Sequence, residues 1–105
     1  MDFDPNDRAA IEAALRDTDP HNPIAKALAE RIKELTGRFW LHAEKLGRVP
    51  SEIMLVKPKT AFDDIAYRLC LQTIAEATGA PVKVVWVPSE DDLIAKLHSR
   101  ATASN

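Results

Sequence analysis

The chain has one cysteine, Cys70, and three glycines in its 105 residues. A single thiol can neither close an internal disulfide nor build a multi-cysteine metal site, so a reducing, cytoplasmic setting is expected. So few glycines leave no loop able to cradle a phosphate. The stretch Ala77-Thr78-Gly79-Ala80-Pro81 contains a single one, and neither the P-loop nor the dinucleotide fingerprint occurs. Long hydrophobic runs are missing as well. Ile53–Val56 and Val84–Val87 fall far short of the ~20 apolar residues of a membrane span, so no membrane partner is expected. The start, MDFDPNDR, is acidic and lacks the basic and apolar regions of a secretion signal.

Apolar residues make up 46% of the chain and recur throughout it, enough for one modest core and too many for disorder. The length fits one domain, 1–105. The Ala- and Arg-rich composition would suit a small bacterial or phage protein. Net charge is −2, but it is unevenly placed. Residues 1–20 hold six acids and two bases, residues 21–59 eight bases and four acids, and residues 60–105 six acids and four bases. An acidic head, a basic middle and a mildly acidic tail can match one another between two copies, or turn a basic face to something else.

Seven prolines punctuate the chain, and each falls at an element edge. DPNDRAAIEAALRD reads as a short helix in an acidic region, 1–20, with Pro5 near its start. Asn22 and Pro23 open a long amphipathic helix within 21–48, stopped by Gly47 and Pro50. Leu28, Ile32, Leu35, Phe39, His42 and Leu46 recur every four and three residues, an apolar seam that runs straight across Gly37. A β-α-β-α unit fills 49–100. SEIMLVKP and APVKVVWVP read as strands, Thr60 and Gly79 bracket the helix between them, and Ser89 caps the last helix. Residues 101–105 should fray.

The order α-α-β-α-β-α describes an α/β fold: two N-terminal helices, then a unit whose strands should lie parallel, joined by a right-handed crossover. Two apolar parallel strands make an incomplete sheet. A second copy should therefore complete it, pairing edge to edge or through the helix seam, with Leu28, Ile32, Leu35, Phe39 and Leu46 as the expected dimer interface.

His42-Ala43-Glu44 resembles the His-x-Glu that opens the zinc deaminase signature, in which the His binds zinc and the Glu shuttles protons. The resemblance covers three residues. The Pro-Cys-x-x-Cys that supplies the other ligands is missing, and His42 lies on an apolar seam late in a helix, where a zinc ligand would sit at a helix start. His21 and His98 add no ligand spacing. Asp63-Asp64 and Glu90-Asp91-Asp92 fall in first turns of helices, where the helix dipole accounts for them. Cys70 reads as a core thiol. No catalytic residue, metal site or cofactor is expected, and the chain does not read as an enzyme.

The basic middle is the feature left to explain. Arg31, Arg38 and Lys45 are spaced by seven and line one stripe of the long helix, Arg48 follows, and Trp40 sits among them as the expected exposed anchor. The expectation is a non-enzymatic protein-interaction or regulatory module acting as a homodimer. Its partner-binding residues would be Trp40, Phe39, Arg31, Arg38, Lys45 and Arg48, with the strand edge around Ile53–Val56 as a second surface. The alternative is nucleic-acid binding through the same helix; a sequence pI near 5.9 and interleaved Glu30, Glu34 and Glu44 weigh against it.

Overall fold

A computed structural model describes residues 3–103, with backbone only for residue 97 and residues 99–103. Helices α1 (Arg8–Arg16) and α2 (Pro23–Leu46) precede strand β1 (Glu52–Val56), helix α3 (Ala61–Thr78), strand β2 (Lys83–Val87) and helix α4 (Glu90–Ala103). Four helices and a two-stranded parallel sheet make a small α/β fold.

The helix ends follow from local chemistry. The Asn22 side chain accepts hydrogen bonds from Ile24 N and Ala25 N, satisfying two of the donors a helix start leaves without partners, and Pro23 has no N–H to satisfy. Thr60 accepts from Asp63 N at 3.1 Å, and Ser89 from Asp92 N at 3.2 Å. Gly47 and Gly79 close α2 and α3 at φ 74° and 78°, a left-handed turn that a side chain would strain. Gly37 leaves α2 unbroken.

Helix α1 begins three residues after Pro5. Asp7 is its cap, accepting from Ala10 N at 3.1 Å, while the Pro5 carbonyl accepts from Phe62 N at 2.8 Å and ties the leading segment to α3. At the other end α4 continues through Ala103, past the point where a frayed tail was expected; residues 104 and 105 of that tail lie outside the described residues.

Side-chain alternation sorts the sheet into two faces. Ile53 and Leu55 of β1 join Leu35, Phe39, Tyr67, Cys70 and Ile74, so α2 and α3 cover one face. Met54 packs with Val87 and Leu93, so α4 covers the other. A third cluster, Ile11, Leu28, Phe62, Ile65 and Ala66, locks α1 against α2 and α3. Helix α3 therefore buries two sides, as its apolar residues on two faces require.

The seam of α2 is consumed by these clusters. Leu28, Leu35 and Phe39 are buried in the chain's own core, and Ile32 and Leu46 are half-buried. Leu28 is closed inside the core, and Leu35 and Phe39 meet solvent only as lining of a groove, so little of the expected dimer interface is open in the single chain. A helix seam looks the same in sequence whether a helix of the same chain or of another covers it, and here α3 and the sheet do so.

Candidate functional site

At the two ends of the β1–β2 ladder, Lys83 N–H donates to the Ser51 carbonyl and Lys57 N–H to the Val87 carbonyl, each at 3.0 Å, and the register pairs Glu52 with Lys83 through Val56 with Val87. The backbone groups of a strand alternate sides, so residues 51, 53, 55 and 57 point theirs at β2. Those of Glu52, Met54 and Val56 point the other way. Among the described residues no strand lies on that outer side.

The outer edge of β1 forms one wall of a groove. All five β1 residues line it, together with Arg31, Leu35, Arg38, Phe39 and His42 of α2, Tyr67 of α3, and Glu90 and Leu93 of α4. The α2 members step by four, three, one and three, one stripe of a helix. The apolar seam and the cationic stripe thus merge into a single wall. The floor is apolar and the rim charged.

Three ion pairs organise that rim. Arg38 binds Glu34 one turn back at 2.9 Å and Glu90 at 3.1 Å, while Arg31 binds the same Glu34 at 3.2 Å. Helices α2 and α4 lie on opposite faces of the sheet, so the Arg38–Glu90 pair reaches around the β1 edge. Its partners are 46% and 51% exposed, which keeps the pair weak. Arg31 is more enclosed. Burial works against its charge, but Glu34 and the Tyr67 hydroxyl more than offset that and raise its pKa. Burial pushes the Tyr67 hydroxyl up; Asp63 adds to this, and Arg31 opposes it.

The other expected partner-binding residues are scattered around this groove. Trp40 is 40% exposed on the outer side of α2, its ring edge-on to Phe39 at 5.0 Å, with Leu41 exposed beside it. Lys45 and Arg48 are exposed near the end of α2. Phe39 itself is core, reachable only as groove floor. His42 is half-buried on the groove wall, and among the described residues no group of three or more His, Cys, Asp or Glu could hold a metal ion. Cys70 is fully buried, and its thiol is pushed up to about 11 by desolvation. At neutral pH it is a thiol and no nucleophile.

Sequence reasoning did not find Tyr67, Glu90 and Leu93 as groove residues. Glu90 and Leu93 carried a helix-start and a helix-face signal, and nothing local to either shows that β2 returns beside β1 and brings α4 with it. No protein-family model, no curated protein and no solved structure matches this chain.

Proposed function

We propose that this chain is a non-enzymatic protein-interaction module that works as a homodimer, joined at the outer edge of β1. The observation that supports this is the edge itself: outward-facing backbone groups at Glu52, Met54 and Val56, set in an apolar groove between α2 and α4. Exposed strand edges take up further strands through main-chain hydrogen bonds, and adjoining pockets read alternate side chains. A second copy is the simplest donor, because it makes one four-stranded sheet out of two incomplete ones. The outer side of α2, with Trp40 as anchor and Lys45 and Arg48 nearby, is then left for a further protein.

Light scattering over a concentration series tests the reading, with Met54→Pro as the informative variant. The Met54 N–H points away from β2, so proline there removes an outward donor and no hydrogen bond of the β1–β2 ladder. A native dimer at micromolar concentration, converted to a folded monomer by Met54→Pro, is the expected outcome. A native chain that stays monomeric defeats the proposal.

Nucleic-acid binding is the second reading, favoured by the exposure of Lys26, Lys33 and Lys45 on α2 and of Arg48 just past its end. Against it, the carboxylates of Glu34 and Glu90 already engage Arg31 and Arg38. Sub-micromolar binding to duplex DNA or single-stranded RNA that falls steeply with salt would make it the better reading.

A further inference from the structure

The groove at the outer edge of β1 is bridged near one end. Val87, the last residue of β2, sits in register with Val56, the last of β1, and α4 starts just beyond it. Glu90 is the first residue of α4 and so lies near the carboxyl end of the groove. Arg38 comes from α2, on the opposite face of the sheet, and its Nη1 stands 3.1 Å from a Glu90 carboxylate oxygen. Both side chains line the groove with all five β1 residues, while β2 supplies none of its lining among the described residues. The pair therefore crosses the plane of the sheet outside β1, where a further strand would run. Neighbouring strands lie about 4.8 Å apart, which leaves no room for an ion pair passing between them from face to face.

We infer that the Arg38–Glu90 pair is a latch on the homodimer interface, closed in the single chain and opened in both copies when their β1 strands pair. This rests on the homodimer reading and names the contact that regulates it. Three observations make the latch one that can open. Arg38 also holds Glu34 of its own helix at 2.9 Å, so opening leaves no guanidinium without a carboxylate. Glu90 is about half exposed and turns into water from the first turn of α4, where the helix dipole favours its charge. Among the described residues, no buried apolar cluster holds side chains of both α2 and α4, so the two helices can part here without breaking core packing. A half-exposed ion pair is weak, so the latch tunes the affinity of the dimer and does not forbid it.

Sedimentation velocity on the full chain over a concentration series tests this, with each variant checked for folding by circular dichroism and melting temperature. Glu90→Gln and Arg38→Gln each remove one half of the latch. Each should tighten the dimer by about threefold to tenfold, since two weak pairs no longer have to open. The two changes shift net charge in opposite directions, so a common sign separates the latch from overall repulsion between copies. Their double variant should be little tighter than either alone, because the same contact is lost. Glu34→Gln alters the charge as Glu90→Gln does but leaves the latch in place, and it should not tighten the dimer. Opposite signs for Glu90→Gln and Arg38→Gln, indifference to either, or equal tightening by Glu34→Gln overturns the latch while leaving the homodimer reading standing. Monomers throughout, native and variant, remove both.

Discussion

Cys70 shows how one buried side chain links the fold to solution behaviour. Its thiol lies in the cluster with Leu35, Phe39, Ile53 and Leu55, and desolvation favours the neutral form in the folded chain. The folded pKa of about 11 stands above the ordinary 9.0, so the folded state resists ionisation that the unfolded chain permits. The resulting stability is fully present below about pH 9 and is lost as pH rises through about 11. Chemical denaturation at stepped pH should therefore show stability falling across that window, and Cys70→Ala should flatten the fall. Native Cys70 should also resist thiol reagents at pH 8 until the chain is unfolded. Phe39 supports a second expectation at this scale. Its ring is core, so Phe39→Ala should cost roughly 3–5 kcal/mol of folding stability even in dilute solution, where no dimer contributes. Exposed Trp40→Ala should leave most of that stability intact. Equal losses for the two variants in a melting series would contradict the placement of the seam.

Elements were legible in the sequence wherever their ends carry their own chemistry. Asn22, Thr60 and Ser89 mark helix starts, and Gly47 and Gly79 mark ends, because each satisfies or releases backbone groups within a few residues of itself. The strands were legible as apolar runs, and their parallel pairing followed from the helix between them. What the pattern could not carry was which neighbour each apolar face would meet. Leu28 and Leu35 repeat as a dimer seam would, yet they meet α1, α3 and the sheet. Pro5 resembles a helix start, yet its carbonyl serves Phe62, 57 positions away in the chain. The groove combined both kinds of information. Its α2 wall was visible as a stripe, while Tyr67, Glu90 and Leu93 reach it only through the fold. At this scale the caps give a direct test. Thr60→Ala and Asn22→Ala should each lower stability by about 0.5–2 kcal/mol in urea titrations. Thr60→Ser should retain most of it, since the accepting oxygen remains.

For the molecule as a whole, the two-stranded sheet is the feature that decides. Two parallel strands with helices on both faces leave β1 with one edge inside the fold and one in an apolar groove. No helix among the described residues is long and apolar enough to cross a membrane. The homodimer account makes the backbone of β1 itself the reporter. Amide hydrogen exchange, resolved residue by residue at a dilute and a concentrated condition, reads it most directly. Ile53 and Leu55, which face β2, should be protected equally at both concentrations. Met54 and Val56, which face outward, should exchange quickly when dilute and slow markedly as the dimer forms. Outward amides whose exchange does not change with concentration would contradict the account, because no second strand would then be meeting the edge.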